Sequence, residues 1–146
     1  MNAREVADAA RRSIRAAKER LRLGEALLVF AEGTRSRTGQ LQRLLSGVAR
    51  YLEPPNTWVL PIGLAGTEKL FPIGEDSVNA VAVALRIGRP VQASALVGLG
   101  KGNRRVVMDA VGLAIADLLP VEYRGVYDRR AWADEDARAV YHEIFS

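Results

Sequence analysis

The sequence predicts an α/β domain with a partial, mainly parallel sheet flanked by helices. Two kinds of segment alternate along its 146 residues. Some place apolar side chains every three or four residues, as amphipathic helices do. Others are short unbroken apolar runs, which are typical of strands buried on both faces of a parallel sheet. Their order, helix–strand–loop–helix–strand–strand–helix, predicts one domain over residues 1–146.

The first half contains the clearest alternation of these segments. Residues 4–22 predict an amphipathic helix that ends near Gly24. Residues 26–31 (ALLVFA) predict a strand buried on both faces, followed by a polar loop over residues 32–40. Residues 41–52 predict a second amphipathic helix, which the pair Pro54-Pro55 ends.

The second half predicts two more strands and two more helices. Residues 58–65 form a second apolar run, and Pro61 within it predicts an edge position or an early end. Residues 78–87 predict a third strand, and residues 91–97 a short element of undecided type. Residues 104–119 predict a helix stopped by Pro120, and residues 134–145 a final short helix.

Composition excludes several classes of protein. Hydrophobic residues make up 49% and charged residues 26%, which is typical of a globular domain rather than a disordered chain. There is no cysteine, so disulfides, thiolate metal sites and cysteine catalysis are excluded. No run of 18 apolar residues occurs, so the sequence predicts no membrane-spanning helix.

Charge is spread unevenly along the chain, whose net charge is +4. Residues 1–50 hold 11 Lys and Arg against 5 Asp and Glu, whereas residues 51–146 hold 10 against 12. A basic N-terminal half attracts phosphates, acyl-CoA or an anionic membrane surface. The alternative is that the first helix is simply solvated by its arginines.

The loop EGTRSR, residues 32–37, has the residue types of a phosphate site. Gly33 permits a tight turn and close backbone approach, and Arg35 offers a two-pronged contact to phosphate. Thr34 and Ser36 add hydroxyl donors, and Glu32 either fixes the guanidinium of Arg35 or accepts a substrate hydroxyl. From the residues alone, a surface loop with an incidental Glu–Arg pair is an equal alternative.

The segment FAEGTRSRTGQL resembles the FPEGTRSR motif of the phospholipid/glycerol acyltransferase family, which includes PlsC-like 1-acylglycerol-3-phosphate acyltransferases. Ala31 stands where that family usually has proline. Residues 44–47 and 59–63 are similar to two later family segments, and the resemblance extends over residues 4–127. It implies that Glu32, Gly33, Thr34, Arg35 and Ser36 bind the phosphate of a glycerol acceptor, with Arg37 a weaker candidate.

The family's His-x-x-x-x-Asp motif, which supplies its general base, is not found in these residues. The chain has one histidine, His142, and ends at Ser146, four residues later. We therefore expect the C-terminal portion of an acyltransferase domain, with no catalytic or metal-binding residue of its own. His142 is expected to be an exposed helical side chain.

The resemblance implies transfer of an acyl group from acyl-CoA or acyl carrier protein to a lysophosphatidate-like acceptor, with no cofactor. This chain alone is expected to be inactive. It also implies a cytoplasmic location, peripheral to the inner face of the membrane. A non-catalytic module that binds phosphate or lipid headgroups is the alternative. Nucleic-acid binding is disfavoured because the basic helix lacks interleaved aromatics, and self-association through exposed sheet edges is expected.

Overall fold

The computed structural model describes residues 2–146. Helix α1, Ala3–Arg22, begins with a capping box in which Asn2 and Glu5 each accept a hydrogen bond from the other's backbone N–H. The predicted first helix is thus confirmed within one residue. None of its residues is buried, so α1 lies on the surface of the domain.

The predicted strand at residues 26–31 is wrong. The segment is irregular, and Leu28 and Phe30 are 76% and 72% exposed. A strand needs a neighbour to satisfy its backbone groups, and the four strands within residues 2–146 pair only with one another. The segment is instead fastened at its end, where Ala31 accepts a hydrogen bond of 2.8 Å from the N–H of Leu45.

The predicted helix over residues 41–52 is also corrected, because only a 3-10 helix, Ser46–Leu52, is present there. The backbone of Leu41 is engaged elsewhere: its N–H donates to the carbonyl of Tyr123 at 2.8 Å, and its carbonyl accepts from Val126 at 3.2 Å. These long-range partners replace the local bonds that a helix would need. Apolar spacing therefore predicted the burial of Leu41 and Leu44, but Leu45 is 51% exposed and the backbone is not α-helical.

Two short antiparallel sheets are present where a mainly parallel sheet was predicted. The strands are β1 (Trp58–Val59), β2 (Ile62–Ala65), β3 (Ala84–Ile87) and β4 (Val91–Gln92), and they pair as β1 with β4 and β2 with β3. The parallel arrangement is not supported.

Pro61 explains why the second apolar run is divided. Proline offers no N–H to a ladder, and the run breaks at residues 60 and 61 into β1 and β2, as the early strand end predicted. The following chain passes through the short helix α2, Thr67–Leu70, and reverses. Residues 84–87 then return alongside β2, so that Ile62 faces Ile87 and Ala65 faces Ala84.

The core is helical and is built around α4, Arg104–Asp117. Ten of its fourteen residues are buried, so it is covered on every side. It packs against α5, Glu135–Phe145, and against the 3-10 helix. The short helix α3, Ala93–Leu99, precedes it and occupies most of the segment whose type was undecided.

The C-terminal helix predictions are confirmed. Asn103 caps α4 and Asp134 caps α5, each through a side-chain oxygen that accepts from the first turn. The fold is thus a mixture of helices and small sheets, as the α/β prediction had it in coarse terms. In the described part of the chain, no helix combines the length and hydropathy needed to cross a bilayer.

Candidate functional site

The loop that begins at Glu32 is closed by its own first residue. The Glu32 carboxylate accepts a hydrogen bond of 2.7 Å from the backbone N–H of Gln42, ten residues further along. Gly33 adopts φ +74°, and a Cβ atom there would lie 2.2 Å from Cδ1 of Leu45. Both the left-handed backbone and the missing side chain are therefore needed for this turn.

The second half of the loop is fixed to the segment after α4. The Ser36 hydroxyl donates to the carbonyl of Gln40 at 2.7 Å. The Gln40 side chain in turn donates to the carbonyl of Glu122 at 3.1 Å. With the backbone bond from Leu41 to Tyr123, these contacts hold the loop against residues 122–123.

A cleft of about 570 Å³ lies between this loop and the region around α2. The loop supplies its polar wall, which contains all five predicted phosphate-binding residues: Glu32, Gly33, Thr34, Arg35 and Ser36. Its apolar lining residues are Phe30, Leu41, Leu64, Phe71 and Leu119, and Thr67, Glu68 and Tyr123 add polar groups from outside the loop. The cleft therefore offers one polar end and one apolar face, which is the character of an amphiphilic ligand.

Arg35 is the cation of this cleft among the described residues. Its guanidinium carbon lies 5.8 Å from the centre of the Phe71 ring, within range of a cation–π contact. Glu32 accepts its hydrogen bond from the backbone of Gln42, and none of the salt bridges among the described residues joins it to Arg35, so the first of its two suggested roles is not seen. The guanidinium thus keeps its capacity to bind an anion.

The second carboxylate of the cleft, Glu68, is also engaged. It accepts a hydrogen bond of 2.8 Å from the hydroxyl of Tyr123. This hydrogen bond is the main reason that the pKa of Tyr123 is raised above its ordinary value, and partial burial is the second reason. The sequence analysis did not single out Glu68, Phe71 or Tyr123. Their segments, GTEKLF and VEYRG, begin 29 and 84 residues after Arg37 and reach the loop only through the fold.

Residues outside the cleft include Arg37 and His142. Arg37 is exposed and does not line the cleft, so the weaker candidate is separated from the other five. His142 is exposed on α5, as expected, and its Nδ1 lies 3.1 Å from the Ser146 hydroxyl. The described residues contain no group of His, Asp and Glu side chains that could hold a metal ion.

A buried polar network supports the loop from behind and was not predicted. Asp109 on α4 is fully buried and accepts hydrogen bonds from Arg43, Arg105 and the hydroxyl of Tyr127, at distances of 2.6 to 3.4 Å. The same Tyr127 oxygen accepts a hydrogen bond of 3.0 Å from the backbone N–H of Leu44. The network thus positions the chain just after the loop.

The ionisation of this network follows from its burial. Burial opposes the charge on Asp109, but the hydrogen bonds from Arg43, Arg105 and Tyr127 outweigh it, so the pKa of Asp109 is lowered. Burial is also the main reason that the pKa of Tyr127 is raised. Asp109 is therefore a charged group and Tyr127 a neutral donor at neutral pH.

Comparisons with known proteins point to one family. Residues 2–65 match the family model described as Acyltransferase. The chain is 34% identical over 77 residues to the chloroplastic 1-acyl-sn-glycerol-3-phosphate acyltransferase of Arabidopsis thaliana. That alignment covers 52% of this chain and 22% of the plant protein, so the chain matches about a fifth of that relative's length. No solved structure matches.

Proposed function

We propose that this chain, whose residues 2–65 match the Acyltransferase family model, forms the acceptor-binding part of a glycerolipid acyltransferase. The acceptor would be a lysophosphatidate-like glycerol phosphate, and the donor acyl-CoA or acyl carrier protein. The resemblance to acyltransferases that the EGTRSR loop first indicated is confirmed by the family match and by the plant relative. Acceptor, donor and the assignment of the loop residues are our proposal.

The observation that carries the proposal is the two-sided character of the 570 Å³ cleft. A phosphate at the loop would meet the guanidinium of Arg35 and the hydroxyl of Thr34, while Ser36, whose hydroxyl donates to Gln40, would hold the shape of the loop beside it. The acyl chain of the acceptor would then lie along the apolar face, which includes Leu64 and Leu119. One ligand with a charged head and an apolar tail accounts for both walls.

The reaction needs groups beyond these. The acceptor hydroxyl oxygen forms the new ester bond to the acyl carbon, the thioester C–S bond breaks, and the hydroxyl proton passes to a base. The residues of the cleft would bind and orient the acceptor. The chain's one histidine, His142, does not line the cleft, so we propose that these 146 residues alone do not catalyse the transfer.

Calorimetric titration of glycerol 3-phosphate tests the binding proposal. Arg35→Ala should weaken binding about tenfold or more, since a charge-assisted contact to phosphate is lost. Arg37→Ala is the matched control, because it removes the same charge from the same loop but from outside the cleft. Equal binding by all three proteins would reject the loop as the phosphate site.

Incubation with acyl-CoA and lysophosphatidate tests the proposed inactivity. No acylated product above the uncatalysed background is expected. Turnover within tenfold of an intact acyltransferase of this family would show that the chain does supply a base, and would overturn this part of the proposal.

A non-catalytic module that binds phosphate lipids is the second candidate, and it is favoured by the cleft's lack of a histidine within the described residues. The two candidates differ in what they predict for the acyl donor. An acyltransferase part should bind a non-hydrolysable acyl-CoA analogue and the acceptor together. A headgroup module should bind lysophosphatidate with an affinity that the analogue does not change.

A further inference from the structure

A second cleft, lined by residues of α1, the 3-10 helix and the start of α4, is strongly basic. It has a volume of about 440 Å³ and shares no lining residue with the first cleft. Six cations from three elements line it: Arg11, Arg15, Lys18, Arg22, Arg50 and Arg104. From this arrangement we propose that the basic cleft, defined by these six residues, binds a ligand with at least two neighbouring phosphate groups.

The charge of the basic cleft is only slightly compensated from within. Glu53 is the one carboxylate among its described lining residues, so the formal charge is +5. Glu53 is paired with Lys18 and, at 3.3 Å, with Arg104. The hydrogen bond from Lys18 is the main reason that the pKa of Glu53 is lowered, so Glu53 stays ionised.

Of the other four cations, two pair with carboxylates on α1 and two form no salt bridge within residues 2–146. Arg11 and Arg22 pair with carboxylates on α1 itself, with Asp8 at 3.5 Å and Glu19 at 3.4 Å. In residues 2–146, neither Arg15 nor Arg50 forms a salt bridge. Arg15 and Arg50 belong to different elements, α1 and the 3-10 helix, and both line the basic cleft.

Repulsion among these cations destabilises the protein when no anion is bound to the basic cleft. Arg11, Arg15, Lys18 and Arg22 follow one another at helical spacings of three or four residues, where like charges are destabilising. Helix α1 also buries none of its residues, so apolar contacts do little to hold it in place. An anion placed among α1, the 3-10 helix and α4 would relieve the repulsion and join the three elements.

The number of cations favours a ligand with more than one phosphate. A single phosphate carries at most about two charges near neutral pH, whereas the basic cleft presents five in excess. Such phosphate groups belong either to a soluble diphosphate-bearing compound or to neighbouring headgroups of an anionic membrane. Both sources offer the same chemistry to the cations, and the experiment separates them.

The experiment uses Arg35→Ala protein, so that the first cleft does not contribute. Inorganic diphosphate is titrated calorimetrically into this protein and into a form that also carries Arg15→Ala and Arg50→Ala. The control form carries Arg12→Ala and Arg130→Ala instead, two exposed arginines that do not line the basic cleft. We expect about a tenfold or greater loss of affinity in the first form and less than twofold in the control.

A third variant is expected to strengthen diphosphate binding instead of weakening it. Glu53→Gln removes the cleft's carboxylate and frees Lys18 and Arg104, so diphosphate binding should tighten severalfold. A merely structural role of these ion pairs would weaken binding instead. Circular dichroism of each variant confirms that it is folded.

A parallel arm uses vesicles of phosphatidylcholine with and without phosphatidylglycerol. Diphosphate binding that depends on Arg15 and Arg50 supports a soluble ligand. Binding to anionic vesicles alone, with the same dependence on Arg15 and Arg50, supports membrane headgroups. Equal behaviour of the Arg15/Arg50 and Arg12/Arg130 variants in both arms would overturn the site. Because all of these proteins carry Arg35→Ala, the proposed phosphate contact of the first cleft does not enter this experiment, and failure here is distinct from failure of the proposed function.

Discussion

The hydroxyl of Tyr127 donates a hydrogen bond of 2.8 Å to the carboxylate of Asp109, and both side chains are fully buried. These residues join the central helix α4 to the segment that follows it. Through the bond from Leu44 to the same hydroxyl oxygen, they also hold the chain that leaves the candidate phosphate loop. Core stability and loop position therefore depend on one polar cluster.

Asp109→Asn should destabilise the protein by about 2 kcal/mol, since hydrogen bonds from charged donors are lost in a buried setting. Urea unfolding at neutral pH measures the change. Asp8→Asn is the control, because Asp8 pairs with Arg11 on the exposed surface of α1 and should cost less than about 1 kcal/mol. A similar loss in the two variants would contradict the role given to the cluster.

The stability contributed by Asp109 should disappear in acid. Its pKa is lowered in the folded protein, so the unfolded chain takes up the proton first as the pH falls. The contribution is therefore complete above the ordinary carboxyl pKa of about 3.9 and is lost as the pH falls from there through the folded pKa. Unfolding free energies of the wild type and Asp109→Asn should converge below about pH 4. A difference that stays constant across this range would refute the assignment.

Gly112→Ala should destabilise the protein by about 1–3 kcal/mol, the range expected for an overpacked core. A Cβ atom at Gly112 would lie 2.3 Å from Cζ of Tyr127, and the Tyr127 hydroxyl is held by Leu44 and Asp109. Gly98→Ala is the control, because Gly98 lies in helix α3 with nothing within 4 Å of the added carbon. That change should leave stability unchanged or raise it.

Leu28→Ala should change the unfolding free energy by no more than about 0.5 kcal/mol, as exposed positions do. Leu28 is 76% exposed, whereas Leu44 is 1% exposed. Leu44→Ala should cost about 2–5 kcal/mol, the range for buried leucines. Thermal or urea unfolding separates this outcome from the sequence prediction, in which residues 26–31 form a buried strand and Leu28→Ala is as costly as Leu44→Ala.

Gly33→Ala should disturb the loop more than the rest of the fold. Alanine is strained at φ +74°, and its Cβ would meet the Leu45 side chain. We expect glycerol 3-phosphate affinity to fall at least about tenfold, while a stability loss of about 1–3 kcal/mol leaves the domain folded. Unaltered phosphate affinity in folded Gly33→Ala protein would argue against the loop geometry.

The sequence predicts the helices of this fold better than its strands, and there is a physical reason. Helix bonds are local, so the spacing of apolar residues and the caps at Asn103 and Asp134 suffice to place α4 and α5. Strand partners are distant in sequence, and an unbroken apolar run does not say which partner is present. Residues 26–31 have the composition of a buried strand, but the described chain pairs no strand with them.

The site shows the same division between local and distant signals. The loop residues Glu32 to Ser36 are contiguous, and a short motif finds all of them. The other wall of the cleft, at Glu68, Phe71 and Tyr123, comes from segments without a motif of their own. The partner of Glu32 was also missed, since a bond to the backbone N–H of Gln42 depends on the turn and not on the identity of residue 42.

A thermodynamic cycle tests the central claim that Arg35 recognises the phosphate of an amphiphilic acceptor. A short-chain lysophosphatidate and the monoacylglycerol that lacks its phosphate are titrated into wild-type and Arg35→Ala protein, below the concentration at which either forms micelles. We predict that the phosphate improves affinity at least about tenfold in the wild type and less than about twofold in Arg35→Ala. A phosphate that improves affinity equally in both proteins would contradict the account.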